Sequence, residues 1–124
     1  MFPSVWYIEA ETDLRIILKE ILNDQFSMTC FSTPERAVKN LAEGALPPNL
    51  ILTDLLFSEI VGIEVIRLLR AHLPVTPLIV VSALSEEDVV PQIQEGCIAA
   101  WIEKPYQVDH LAATMKRALV KSAS

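Results

Sequence analysis

Residues 49–82 read NLILTDLLFSEIVGIEVIRLLRAHLPVTPLIVVS and carry the clearest structural pattern of the chain. Its first six and last six residues are short, mostly apolar runs rich in Leu, Ile and Val. Runs of this kind predict strands that are buried on both faces of a sheet. The segment between them has apolar residues at helical spacing, which predicts a helix over Glu59–His72. The inward positions of this helix are expected to be Ile63, Ile66, Leu69 and Leu73.

The same alternation of strand and helix continues on both sides of this unit. Phe26–Phe31 alternates apolar and polar residues, as an edge strand does, and buried strands are expected at Val5–Ile8 and Ala99–Ile102. The remaining helices are expected around the stripe Leu14, Ile17, Leu18, Ile21 and Leu22, between Ser32 and Gly44, after Ser85, and over Gln107–Lys121 with Val108, Leu111, Ala112, Met115 and Leu119 inward. Five β/α units predict a doubly wound, five-stranded parallel sheet with helices on both faces.

Local signals set the expected ends of the helices. Thr12 is a candidate N-cap of the first helix, and Ser32-Thr33-Pro34-Glu35 contains a capping box with proline in the first turn. Gly44 is expected to end the second helix. Pro91 cannot donate a backbone hydrogen bond and lies six residues after Ser85. We therefore expect the fourth helix to begin late, to fray or to run short before Gly96.

Composition limits the class of protein. The 124 residues carry 10 Lys and Arg against 16 Asp and Glu, a net charge of −6, which argues against direct binding to nucleic acid or to an anionic membrane. Apolar residues make up 52% of the chain, enough for a hydrophobic core, but no apolar run is long enough to insert into a membrane. Two cysteines fit a reducing compartment. We expect one cytoplasmic domain spanning residues 1–124.

Polar side chains follow four of the predicted strands. They are Glu9 and Glu11, then Asp54, then Ser82, then Lys104. In a parallel α/β sheet the carboxyl ends of the strands share one edge, where ligands bind. Clustered carboxylates favour a hard divalent cation such as Mg²⁺, whose open positions phosphoryl oxygens can occupy. A lysine and a hydroxyl would orient those oxygens, and Asp54 would be the nucleophile of a phosphoryl transfer.

Three motifs in this order resemble the receiver domains of response regulators in two-component signalling. The segment Ile51–Gly62 resembles their phosphoacceptor segment, Val80–Ala83 their hydroxyl motif, and Trp101–Tyr106 their Lys-Pro motif. The resemblance extends from Val5 to about Leu119. It implies a flavodoxin-like strand order, 2-1-3-4-5, and a regulatory domain that is not an enzyme.

The resemblance also implies roles for individual residues. Asp54 would accept a phosphoryl group from a sensor histidine kinase or a phosphotransfer protein, and Ser82 and Lys104 would contact that group. Mg²⁺ would be held by Glu9, Asp54 and the Leu56 carbonyl oxygen, with Glu11 as a further candidate ligand. Lys104-Pro105 would be a cis peptide. Ser82 and Trp101 would act as the conformational switch, and the fourth helix, fifth strand and last helix would present the signal to a downstream protein.

One departure from the family pattern leaves two functions open. The family has an acidic pair after the first strand, and this sequence has Glu9-Ala10 there, so one carboxylate is replaced by a methyl group. The alternative to a phosphorylated receiver is a pseudo-receiver, a protein-interaction module that works without phosphorylation. A flavodoxin-like cofactor protein is disfavoured, because the acidic stretch Glu9–Thr12 would repel a phosphate.

Overall fold

The computed structural model describes residues 1–92, 94 and 96–123, with the backbone alone at Ala123. Within this part of the chain, five strands and five α-helices alternate. They are β1 (Ser4–Ile8), α1 (Thr12–Leu22), β2 (Ser27–Phe31), α2 (Pro34–Ala42), β3 (Leu50–Thr53), α3 (Ile63–His72), β4 (Leu78–Ser82), α4 (Glu86–Val89), β5 (Ala100–Glu103) and α5 (Val108–Ala123). All strand pairs are parallel in the order β2-β1-β3-β4-β5, so the predicted sheet is confirmed.

A hydrophobic core lies on each face of the sheet. Successive residues of β3 enter opposite cores, because side chains alternate along a strand: Leu52 packs with α1 and α5, and Ile51 packs with α2 and α3. Trp6 is 4% exposed and meets Phe31 edge to face, with ring centroids 5.1 Å apart. Helices therefore cover both faces, and the polar ends of the strands are left at the edges of the sheet.

The third helix begins later than predicted. It starts at Ile63 rather than Glu59, because the residues after β3 form a closed loop. The Gly62 N–H donates to the Leu55 carbonyl oxygen at 2.8 Å, and Leu56 and Val61 form an antiparallel bridge across the loop. Gly62 has a φ of 62°, a conformation that glycine adopts without strain. The loop keeps the chain that follows Asp54 close to the end of β3.

Two predicted helix caps were wrong by one residue. The N-cap of α1 is Glu11, and Thr12 is the first helical residue. The N-cap of α2 is Thr33, whose side chain accepts a hydrogen bond from the Arg36 N–H at 3.2 Å, so a capping box from Ser32 does not form. The predicted proline in the first turn is confirmed.

The fourth helix runs short, as Pro91 predicts. It covers four residues and continues into a turn of 3₁₀-helix over Val90–Gln92. Ile93 and Glu95, which belong to the stretch for which a short helix was expected, lie outside the described residues. The last helix, α5, begins one residue later and ends two residues later than predicted. In the part of the chain that is described, no helix has the length and apolar character that crossing a membrane requires.

One face of α1 leaves apolar side chains at the surface. Leu18 and Leu22 are buried, but Ile17 and Ile21 of the predicted stripe are 51% and 48% exposed. An open groove of about 430 Å³ runs beside them. Its lining is formed by Leu14, Ile17, Leu18, Ile21, Lys104, Pro105, Tyr106 and Val108. The groove therefore begins at the carboxyl edge of the sheet.

Candidate functional site

The backbone ladder places Glu9 and Asp54 side by side. The Asp54 N–H donates to the Ile8 carbonyl oxygen at 3.0 Å, and the Glu9 N–H donates to the Phe31 carbonyl oxygen at 3.0 Å. Both residues thus continue the sheet by one position beyond their strands. Their side chains are 2% exposed at Glu9 and 7% exposed at Asp54. The predicted convergence of these two carboxylates at the carboxyl edge is present.

Lys104 reaches the same point from the end of β5, the edge strand beyond β4. Its backbone N–H donates to the Ser82 carbonyl oxygen at 2.9 Å, which fixes the end of β5 against the end of β4. Its side chain then spans β4, and Nζ donates to Glu9 Oε1 at 2.6 Å and to Asp54 Oδ2 at 2.8 Å. The Lys104-Pro105 peptide is cis, as the resemblance implied. One ammonium group therefore bridges two buried carboxylates.

Asp54 is also held by the loop that follows it. Its Oδ1 accepts hydrogen bonds from the Leu55 N–H at 2.6 Å and from the Leu56 N–H at 3.3 Å. The closed loop after β3 aims these two donors back at the carboxylate. Both oxygens of Asp54 therefore have donors within the chain, and its orientation is fixed before any ligand binds.

Glu9 is held in the same way by the turn after β1. Its Oε2 accepts a hydrogen bond from the Glu11 N–H at 3.1 Å. Arg15 closes the turn from outside, because its guanidinium donates to the Glu9 carbonyl oxygen, to the Ala10 carbonyl oxygen at 2.9 Å and to Thr12 Oγ1 at 3.0 Å. Glu11 thus contributes its backbone N–H, and its side chain is exposed at the surface. The structure does not bring the Glu11 carboxylate to Asp54.

The electrostatics of the bridge favour a charged lysine. Burial disfavours the ammonium group, but the hydrogen bonds and charges of Asp54 and Glu9 outweigh burial and raise the pKa of Lys104. The Lys104 side chain is 21% exposed, so solvent still reaches it. The two carboxylates and the ammonium together leave one uncompensated negative charge in the pocket.

Two tyrosines near the site pack in the core that contains α1 and α5. Tyr7 is 1% exposed, and burial, followed by the nearby charge of Glu9, raises the pKa of its phenol well above the ordinary value. Tyr106 follows the cis proline and shares a hydrogen bond with Tyr7, and burial raises the pKa of Tyr106 as well. Sequence patterns gave no sign of this pair, because the two positions are far apart in the chain.

The buried phenol of Tyr7 predicts a loss of stability in alkali. In the unfolded chain a tyrosine titrates near its ordinary pKa of 10.0, whereas folded Tyr7 stays neutral above that pH. Its contribution to the free energy of unfolding is therefore complete below about pH 10 and is lost as the pH rises further. Urea unfolding at a series of pH values should show a shallower alkaline loss for Tyr7→Phe than for the unsubstituted chain. Equal slopes would contradict this assignment.

The two predicted switch residues lie on neighbouring strands. Ser82 is fully buried at the end of β4, and its Oγ accepts a hydrogen bond from the Leu84 N–H at 3.2 Å. Trp101 is half-buried on β5 and packs against the core that contains α3 and α4. Its indole N–H is buried, and the described residues supply no hydrogen-bond acceptor for it. The indole is therefore held by packing rather than by a polar partner.

The oxygen atoms of this pocket are the type of ligand that a hard divalent cation binds. Glu9 and Asp54 offer carboxylate oxygens, and the Leu56 carbonyl belongs to the loop that contacts Asp54. Mg²⁺ is commonly bound through one or two carboxylates, with water and ligand oxygens completing its shell. Among the residues that the structure describes, no three acidic, histidine or cysteine side chains form a metal-binding group. Ala10, at the expected position of a further carboxylate, lines an open cleft of about 480 Å³.

Sequence reasoning missed the role of Arg15. The positive charge of Arg15 lies in the first turn of α1, where it interacts unfavourably with the helix dipole. A residue that is unfavourable for its own helix is a signal of another role. Here the guanidinium fixes the turn that carries Glu9. The same reasoning identified Glu9, Asp54 and Lys104, which the structure brings together.

Comparison with known proteins agrees with this geometry. A family model described as "Response regulator receiver domain" matches residues 5–116. The chain is 30% identical over 119 residues to a putative response regulator NtrX-like of Rickettsia bellii, with 93% of this chain and 24% of the relative covered. It is 27% identical over 117 residues to the hydrogenase transcriptional regulatory protein HoxA of Cupriavidus necator, with 94% and 24% covered. The chain thus spans about a quarter of the length of these curated relatives.

Comparison with solved structures also finds receiver domains. The signal receiver domain of a putative Luxo repressor protein from Vibrio parahaemolyticus superimposes with a TM-score of 0.84 at 25% identity, covering 99% of this chain and 94% of that one. A BeF3-activated DrrB receiver domain superimposes with a TM-score of 0.79 at 21% identity, covering 96% and 98%. The latter shows the shared fold alone. From the family match over residues 5–116, the chain belongs to the response regulator receiver domains, non-enzymatic regulatory modules of two-component signalling.

Proposed function

We propose that residues 1–124 act as one receiver domain that accepts a phosphoryl group on Asp54 and relays it by a conformational change. The observation that carries this proposal is the pair formed by Asp54 Oδ2 and Lys104 Nζ, 2.8 Å apart at the carboxyl edge of the sheet. A carboxylate nucleophile and an adjacent ammonium are two of the groups that formation of an aspartyl-phosphate uses.

Each side chain of the site has a role in this transfer. The two loop N–H groups hold Asp54 Oδ1, and Oδ2, which is bonded to Lys104 Nζ, would be the oxygen that attacks phosphorus. The new P–O bond forms as the bond from phosphorus to the donor nitrogen of a phosphohistidine breaks, and that nitrogen keeps the electron pair. Lys104 would follow the negative charge from the carboxylate to the phosphoryl oxygens, and the Ser82 hydroxyl would donate to one of them.

Receiver domains typically bind Mg²⁺, and here Glu9, Asp54 and the Leu56 carbonyl oxygen are the proposed ligands. When bound, the ion supplies positive charge for the phosphoryl oxygens. Glu11 would enter this set only if its turn opened, because its N–H is bonded to Glu9 and Arg15 holds the turn closed.

Two surfaces suit the proposed partners. The groove beside α1 presents half-exposed Ile17 and Ile21 and ends at Lys104, so a sensor histidine kinase or phosphotransfer protein seated there would be next to Asp54. We place the downstream protein on the face formed by α4, β5 and α5, which carries Trp101 and the short fourth helix. The net charge of −6 disfavours direct contact with nucleic acid. A cytoplasmic location without membrane insertion is part of the same proposal.

Incubation with acetyl phosphate tests the transfer without a kinase. We expect the intact mass to increase by one phosphoryl group in the presence of Mg²⁺, and this increase to fall at least about tenfold in EDTA, because the cation offsets charge in the transition state. A chain that stays folded and gains no mass at millimolar donor would contradict the proposal.

A second function is favoured by one specific observation. Every oxygen of Glu9 and Asp54 already accepts a hydrogen bond from this chain, so the pocket is complete without a ligand. A pseudo-receiver that binds its partner without phosphorylation would have such a pocket. The acetyl phosphate experiment separates the two functions, since only the first predicts a gain in mass.

A further inference from the structure

We infer that the outer edge of β2 carries a binding site for a small, soluble oxyanion with two or more negative charges. The site is an open cleft of about 680 Å³, which we call the β2-edge cleft. Its lining includes Arg15 of α1, Cys30 of β2, and Arg36, Lys39, Asn40 and Glu43 of α2 and its C-cap. The inference does not depend on phosphorylation of Asp54.

The first support is the sign of the charge in the β2-edge cleft. Arg15, Arg36 and Lys39 are three of the 10 Lys and Arg residues in a chain whose net charge is −6. Glu43 is the one carboxylate among the described residues that line the cleft, so the cleft is positive although the chain is negative. A concave positive surface raises the local concentration of anions.

The second support is that these positive charges are not compensated. None of the described carboxylates forms an ion pair with Arg15, Arg36 or Lys39. The oxygens that fix the Arg15 guanidinium are two carbonyls and a hydroxyl, which hold it in place without neutralising it. They use three of its five N–H donors, so two remain for a ligand. The guanidinium is therefore oriented before an anion binds.

The third support is the open edge of β2, which pairs with β1 alone. The Ser27 N–H and the Phe31 carbonyl oxygen form hydrogen bonds to the chain at the two ends of β1. Peptide groups of successive residues point to opposite sides of a strand, so those of Cys30 face the open edge of the sheet. Because Cys30 lines the cleft, its N–H is a further donor for an oxyanion.

The size and surroundings of the cleft select the class of ligand. Its volume lies within the roughly 300–1,000 Å³ of small-molecule sites, and arginine and lysine bind phosphate and carboxylate oxygens. The three cations belong to α1 and α2, so a ligand with two charged groups can contact both helices. The net negative charge of the chain disfavours a nucleic acid or an anionic membrane as the ligand.

An NMR titration of the full chain tests the site, with pyrophosphate and citrate as separate probes and no divalent metal. At least one probe should shift the amides of Cys30 and Ser32 along a saturable curve with a Kd below about 1 mM, and the tighter probe shows whether phosphate or carboxylate is preferred. The Leu55 and Leu56 amides, which donate to Asp54, should stay in place. No saturation with either probe, or shifts that appear first at Leu55 and Leu56, would overturn the inference.

Paired substitutions separate this site from a general effect of charge. Arg36→Gln combined with Lys39→Gln removes two exposed cations of the cleft and should weaken the Kd at least about tenfold. Lys116→Gln combined with Arg117→Gln removes the same charge from the exposed surface of α5 and should change the Kd by less than about threefold. Equal weakening by the two pairs would contradict a site at β2.

A further variant should bind more tightly, a result that misfolding cannot imitate. Glu43→Gln removes the carboxylate that opposes an anion in the cleft, and it should lower the Kd at least about twofold. The same NMR titration measures this change. A Kd that is unchanged or higher would contradict binding in the β2-edge cleft.

Discussion

Asp54→Asn should abolish phosphoryl incorporation from acetyl phosphate, a loss of at least about a hundredfold, because an amide cannot replace the attacking carboxylate oxygen. Asparagine retains an oxygen that can accept from the Leu55 and Leu56 N–H groups, so the loop after β3 keeps its hydrogen bonds. The readout is the phosphorylated fraction after a fixed incubation, resolved by a phosphate-binding gel.

The matched control for this substitution is Asp109→Asn, an exposed carboxylate in the first turn of α5. It makes the same chemical change away from the pocket and should be phosphorylated like the unsubstituted chain. Circular dichroism of both variants checks that the fold is kept. Equal incorporation in folded Asp54→Asn and in the control would mean that another residue accepts the phosphoryl group.

Leu52→Ala should cost roughly 2–5 kcal/mol of the free energy of unfolding, a large share of the 5–15 kcal/mol typical of a domain. Leu52 is fully buried in the middle of β3, where it packs between Tyr7 and Ile79 of the neighbouring strands. Truncation leaves a cavity in the core beside β3, the strand that ends next to Asp54. Urea unfolding measures the change.

Leu46→Ala is the control for this loss. Leu46 is 85% exposed in the loop before β3, so removing its side chain should change the free energy of unfolding by less than about 0.5 kcal/mol. A loss below 1 kcal/mol for Leu52→Ala would contradict the position of this residue in the core.

The sequence predicted the strands better than the helix starts. Leu50–Thr53 and Leu78–Ser82 are central strands, and residues buried on both faces leave an unbroken apolar run that can be read directly. The start of α3 was missed because Glu59–Val61 also suit a helix. What decides against it is the hydrogen bond from Gly62 to Leu55, a tertiary feature of the loop that spacing does not reveal.

The residues of the site could be predicted from the sequence, but the contacts of its long side chains could not. Glu9, Asp54, Ser82 and Lys104 could be placed together because the carboxyl ends of parallel strands share one edge. The bridge by Lys104 and the clamp by Arg15 could not be predicted, because each depends on where a long side chain ends after folding. The exposure of Ile17 was also unexpected, since an apolar stripe does not show how much of itself the sheet will cover.

The most direct test of phosphorylation at Asp54 is to locate the modified residue. Borohydride reduces an acyl phosphate to an alcohol, so treatment of the phosphorylated chain should convert the phosphorylated aspartate to homoserine, which peptide mass spectrometry can place. We predict homoserine at position 54 and unmodified carboxylates at Glu9 and Glu11. Homoserine at another aspartate, or none in a chain that had gained a phosphoryl group, would contradict the role assigned to Asp54.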